Sequence, residues 1–241
     1  MSVAIIINSC YKFYKTTLDP IIESAKKANI PSANIYVVIG ESDEETNINN
    51  VGDYNIVFVK YVNIDYNGII YFTQTENGLN ELKKYTHFFY IHDTALFMDS
   101  FWEKINVYSS SCETYLKLEN VGSKNIGLLN VDWFIENKKE LFSYYINTDK
   151  SLALKYKDGD FPNKDLIYSK FNNLPKWLNE DCFFIFENFK PTGESFKNPN
   201  KKVYIDKRYS HEDRRASEYE EPGIIKYQKN WGQGGGWNME L

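Results

Sequence analysis

The chain has 241 residues, 42% of them hydrophobic, and a formal net charge of -5 at pH 7. That length and apolar content suffice for one substantial core, and a single α/β domain is the economical expectation. The acidic balance leaves no general basic face for nucleic acid, so an anionic ligand must be held by local groups.

Val3-Ala4-Ile5-Ile6-Ile7 reads as a buried first strand running into the polar Asn8-Ser9-Cys10-Tyr11. Leu18, Ile21, Ile22 and Ala25 are spaced for one face of a helix over residues 13–28, which Pro31 stops. Ile35-Tyr36-Val37-Val38-Ile39 is a second buried strand, ending in Gly40-Glu41-Ser42, and residues 54–61 form a third. Strands separated by a helix and turns predict a mainly parallel sheet flanked by helices. Asn67-Gly68 leads into a helix around Glu76-Asn77-Gly78-Leu79, whose glycine suits close approach. Thr86-His87-Phe88-Phe89-Tyr90-Ile91 then forms an apolar strand that ends in His92-Asp93-Thr94. Asp99 or Ser100 is placed to cap the following helix, residues 125–130 give a short strand, and residues 131–145 a helix. Residues 147–175 are charged and Asn-rich, a loop or excursion; helical pattern resumes after Leu178-Asn179-Glu180-Asp181. The tail from Lys190 reads as irregular, carrying Pro191, Pro199 and Pro222 and a Gly-rich end between Trp231 and Trp237.

Cys10, Cys112 and Cys182 are an odd set without metal-ligand spacing, which points away from a disulfide framework or zinc cluster and toward a reducing, cytoplasmic setting. The opening apolar run is too short to span a bilayer and has no basic leader, so no transmembrane segment is expected. The Gly-rich end follows no strand and has no lysine at P-loop spacing, so it reads as a flexible tail or lid.

In open α/β sheets, ligands bind beyond the carboxyl ends of the strands. The His92-Asp93-Thr94 strand end fits that rule, and three blocks of the chain stand in a suggestive order: residues 3–11 with the second strand ending at Glu41; Asn67-Gly68, Glu76-Asn77-Gly78-Leu79 and residues 88–94; and Asn179-Glu180-Asp181 before an apolar helix. In order and spacing they resemble the GT-A fold of glycosyltransferases, especially the family-2-like group, over residues 3–100, with a weaker similarity over 125–190. The match departs from the family pattern in two places. His92-Asp93-Thr94 has one carboxylate where Asp-x-Asp has two, and Asn77-Gly78 lacks the residue between Asn and Gly.

The resemblance implies a single GT-A-like domain: residues 1–100 bind the nucleotide sugar, 101–190 form the acceptor side, and 191–241 a tail or lid. It implies transfer of a sugar from a nucleotide-sugar donor to a hydroxyl of a glycan or other acceptor, with inversion. Asn8, Ser9, Tyr11, Glu41, Asn77, His92 and Asp93 would bind the donor. Asp93, with His211 as a further ligand, would hold manganese or magnesium against the diphosphate. Asp181 would be the base that takes the acceptor proton, with Glu180 the weaker choice. An acidic pair at a helix start is also an ordinary cap, and the run around His211 also reads as a solvated charged stretch. Two other functions compete. A non-catalytic glycan- or protein-binding module on the same scaffold would explain the single carboxylate and the aromatic-rich tail. A nucleotidyltransferase lacks support, because residues 8–14 contain neither Gly nor Arg.

Overall fold

A computed structural model of the protein describes residues 2–60, 67–118, 126–141, 200–205 and 213–227. The first strand, β1 (Val3–Cys10), is buried along its whole length and runs parallel to β2 (Ile35–Gly40) and β5 (His87–His92). Outside β2 lie β4 (Asn55–Phe58), parallel to it, and the short antiparallel edge strand β3 (Asn49–Asn50). Beyond β5 the chain adds β8 (Gly127–Asn130) and β7 (Tyr115–Lys117), both in antiparallel pairings. The sheet order is β3-β4-β2-β1-β5-β8-β7. The expected α/β architecture with a mainly parallel centre is therefore present, and its far edge is antiparallel.

Helices cover both faces, which is why the central strands read as continuous apolar runs. Odd-numbered residues of β1 (Val3, Ile5, Ile7) pack with Leu18, Ile21, Ile22 and Ala25 of α1 (Tyr14–Lys27), and with Phe101 and Ile105 of α4 (Phe101–Ser109). All four α1 positions picked out by spacing are buried. The helix ends with Lys26 and Lys27 in its last turn and Asn29 at φ 57°, a left-handed residue that closes the carboxyl end. Even-numbered Ala4 and Ile6 pack on the other face, beneath α2 (Asn67–Gln74), α3 (Glu76–Leu82) and α5 (Val131–Leu141). The stretch from Asn67 is itself a helix rather than only a lead into α3. Gly78 does serve close approach: a Cβ there would lie 2.4 Å from the Tyr71 carbonyl oxygen in α2.

The third strand is shorter than its apolar run, and Tyr61 lies outside the described residues. Ser100 holds the N-cap position of α4 but makes no cap hydrogen bond, because its own backbone is already helical (φ -81°, ψ -4°). The tail differs most from expectation. Residues Asn200–Ile205 (β9), Asp213–Tyr219 (β10) and Ile224–Tyr227 (β11) form an antiparallel sheet with β6 (Ala95–Phe97), in the order β6-β11-β10-β9. Gly223, at φ 76°, makes the turn between β10 and β11; its N–H donates to the Tyr219 carbonyl and its carbonyl accepts from Met98. Tyr219 and Ile224 are fully buried in the α1-face core, and that burial ties the tail to the main body. Among the described residues, no helix is long and apolar enough to cross a membrane.

Candidate functional site

The chain builds β1, β2 and β4 outward in one direction, then returns to place β5 on the opposite side of β1. The order reverses between β1 and β5, and the carboxyl ends of such a pair form the ligand crevice of an open α/β sheet. Asn8 of β1 is in register with His92 of β5, and the Asp93 N–H donates to the Asn8 carbonyl at 3.1 Å. Asn8, Ser9, His92, Asp93 and Thr94 are therefore brought together at one edge, all of them buried.

Strand alternation then separates them by face. Ser9 and Asp93 follow the odd-numbered positions toward α1. The Ser9 hydroxyl and the Thr17 hydroxyl of α1 each donate to Asp93 Oδ2 at 2.6 Å. Thr17 Oγ1 also lies 3.1 Å from the Phe13 carbonyl, and the shorter contact assigns its single hydrogen to the carboxylate. Two hydroxyls from two elements thus fix the orientation of Asp93. The Cys10 thiol is pushed well up by burial, with the negative charges of Asp93 and Glu41 adding to it, so it is held as a neutral thiol.

Asn8 and His92 follow the even-numbered positions toward α2. Asn8 Oδ1 accepts the Gly68 N–H at 3.0 Å, so β1 caps the start of α2 through a side chain. The His92 ring meets Tyr90 edge-on, with centroids 5.9 Å apart. Asn67 is fully buried, and its amide lies where a Cβ on Gly40 would be: the gap would be 1.8 Å. Only glycine fits at the end of β2. The next residue, Glu41, has φ 61°, a left-handed conformation uncommon for a residue with a side chain and one that marks a tightly constrained strand end.

Tyr11 is 43% exposed and forms an open aromatic group with Tyr14 (centroids 5.6 Å) and Phe58 (6.4 Å) beside the ends of β1 and β4. Its N–H donates to the Gly40 carbonyl, extending the β1–β2 ladder by one residue. Asn77 is placed apart from this crevice. It is exposed and donates to Asn47 Oδ1, toward the β3 edge of the sheet. Glu180, Asp181 and His211 lie outside the described residues. Among the described residues, no three His, Cys, Asp or Glu side chains gather as a metal-holding group.

Two residues at this edge were not singled out from the sequence. Thr17 sits one turn into α1, where a buried hydroxyl looks like any small helix residue. Lys226 of β11 is buried to 8% exposure, and its Nζ donates to Thr94 Oγ1. The Tyr227 N–H donates to the Thr94 carbonyl at 3.1 Å, so the backbone holds β11 in place as well. The signals available were Pro222-Gly223 between runs of alternating polarity, and a lysine within the apolar run Ile224–Tyr227.

No family model matches the chain, and no curated protein matches it significantly.

Proposed function

We propose that the protein is a GT-A-like glycosyltransferase that moves a sugar from a nucleotide-sugar donor to a hydroxyl of a glycan or other acceptor, with inversion. The observation that carries this reading is the buried polar cluster at the order reversal between β1 and β5, with Asp93 fixed by Ser9 and Thr17 and the next residue, Thr94, bonded by Lys226. In this assignment Tyr11 offers a ring face to the base. Glu41 accepts from base or ribose, Asn8 and His92 line the α2 side, and Asp93 and Thr94 face the phosphates. Asn77 is left out of the donor set, because it bonds Asn47 instead.

In the reaction, the acceptor oxygen bonds to the anomeric carbon as the bond from that carbon to the diphosphate oxygen breaks. The acceptor proton passes to the Asp181 carboxylate, and the nucleoside diphosphate leaves. A divalent cation, when bound, would neutralise the leaving diphosphate. Among the described residues Asp93 would supply it one carboxylate, with Oδ2 already taking two hydroxyl hydrogens. A cytosolic setting belongs to the same proposal, since Cys10 and Cys112 are free buried thiols.

A panel of UDP, GDP, CDP and dTDP sugars, titrated with and without manganese, tests the class. At least one donor is expected to bind, and Asp181→Asn is expected to lower turnover about 10²- to 10⁴-fold with donor binding retained. Failure of every donor under both conditions overturns the reading. The tight hydroxyl clamp on Asp93 favours one competing reading, a non-catalytic glycan-binding module. Glycan binding indifferent to nucleotide would establish that reading instead.

A further inference from the structure

We infer that Glu41 is the residue that reads the ribose hydroxyl pair of the donor, so that the crevice takes ribonucleoside diphosphates in preference to deoxyribonucleoside ones. This rests on the glycosyltransferase reading and narrows its donor class. The observation that carries it is a backbone conformation held where the side chain does not suit it. Four of the described residues have positive φ. Three are of the types that adopt it readily: Gly52 between β3 and β4, Gly223 between β10 and β11, and Asn29 just past α1. The fourth is Glu41, at φ 61° and at the crevice. A long side chain gains nothing locally from that conformation, and strain of this kind clusters where a ligand is held.

The Glu41 backbone is fixed from both sides. The Gly40 carbonyl accepts the Tyr11 N–H at 2.8 Å, and the Ser42 N–H donates to the Val59 carbonyl at 3.1 Å. The tight fit of Gly40 on the Asn67 amide leaves the end of β2 little room to relax the turn. The turn holds Glu41 half-buried, whereas Asp43, Glu44 and Glu45 after it are exposed. After burial and Asp93, the negative charge of Glu41 is the next contribution to raising the Cys10 thiol, which puts its carboxylate toward the end of β1. Tyr11, whose ring is assigned to the base, stands across the same ladder. A carboxylate is an acceptor only, with two oxygens, and so matches a pair of neighbouring hydroxyl donors. In nucleotide-binding β-α-β units an acidic side chain reaches the ribose 2′-hydroxyl in this manner. A deoxyribonucleotide lacks that hydroxyl and leaves the carboxylate one donor short, and bonds to an ionised acceptor are the stronger kind.

The test pairs calorimetric titration of the full chain with thermal melts. UDP, GDP and CDP are compared with their 2′-deoxy counterparts and with dTDP, with manganese present and absent. At least one ribonucleotide is expected to bind about tenfold or more tightly than its 2′-deoxy counterpart. Glu41→Gly and Glu41→Asn should raise the melting temperature by about 2–4 °C, by relieving the left-handed strain, and should abolish most of that preference. Glu41→Gln keeps the strain and should melt as the wild type does while losing most of the preference. Equal affinity for ribo and deoxy forms, dTDP included, or a preference that survives in Glu41→Gly, overturns this inference and leaves the glycosyltransferase reading standing. Lower melting temperatures in both Glu41→Gly and Glu41→Asn overturn it as well, by showing that Glu41 serves the fold. No nucleotide binding under any condition overturns both.

Discussion

The two faces of the sheet meet the same crevice with different chemistry. On the α1 face a buried carboxylate is held by two hydroxyls, and a lysine reaches the adjoining threonine. On the α2 face, beside His92, two neutral amides are fitted against glycines: Asn8 on the Gly68 N–H, and Asn67 over Gly40. The first arrangement carries charge to the crevice, whereas the second fixes where α2 begins. The difference separates chemistry from architecture within one strand pair, because alternate residues of β1 serve opposite faces. Substitutions that remove charge on the α1 face should therefore alter ligand binding beyond any loss of stability, and those on the α2 face should alter stability first.

The largest effect is expected at Asp93. Asp93→Ala takes the charged acceptor from two buried hydroxyls, Ser9 and Thr17, and leaves Thr17 only the weaker bond to the Phe13 carbonyl. A loss of roughly 3 kcal/mol is expected, read as a lower urea midpoint at unchanged slope. Asp93→Asn keeps an acceptor oxygen and should recover much of the stability but not the nucleotide affinity. Equal loss of both properties in the two variants would end the distinction between the faces. Gly40→Ala should cost about 1–3 kcal/mol, because the new methyl occupies the Asn67 amide's place. Asn67→Ala combined with it should relieve part of that cost, and a strictly additive double mutant would refute the packing account.

The central strands and α1 were legible because burial on both faces writes long apolar runs, and α1 shows a clear stripe at Leu18, Ile21, Ile22 and Ala25. The His-Asp-Thr edge was legible for the same reason, since a sharp change from apolar to polar marks a strand end. The split between His92 and Asp93 follows from alternation, although the trio reads as one unit in the sequence. The tail strands were hidden because their sequences mix lysine, arginine and glutamate with apolar residues and contain no long apolar run. The Lys226 contact to Thr94 spans 132 residues, and no local pattern encodes that pairing.

A smaller effect is expected on the α2 face. Asn8→Ala removes the acceptor of the Gly68 N–H, worth about 1 kcal/mol, and should frustrate the first turn of α2 without changing the charge at Asp93. Nucleoside diphosphate affinity in Asn8→Ala should fall less than in Asp93→Asn. The reverse order would move the chemistry to the α2 face.

The smallest effect contrasts the two ends of β5, each of which carries a buried histidine. His92 stands at the crevice, while His87 stands at the amino end, where its Nε2–H donates to the Cys112 carbonyl at 2.7 Å and Nδ1 lies 3.1 Å from Thr86 Oγ1, whose own hydrogen goes to the Ser2 carbonyl. Burial lowers the His87 pKa below its ordinary 6.5, and the hydrogen bond to the Cys112 carbonyl only partly opposes this. The folded protein thus takes up a proton at His87 less readily than the unfolded chain does. Its neutral-state stability is complete above about pH 6.5 and is lost as pH falls from there toward the lowered folded value. Unfolding free energy measured between pH 7 and pH 5 should decline in the wild type and decline less steeply in His87→Gln. Nucleotide affinity at pH 7 should be the same in both, because the amino end of β5 lies at the opposite end of the strand from the crevice.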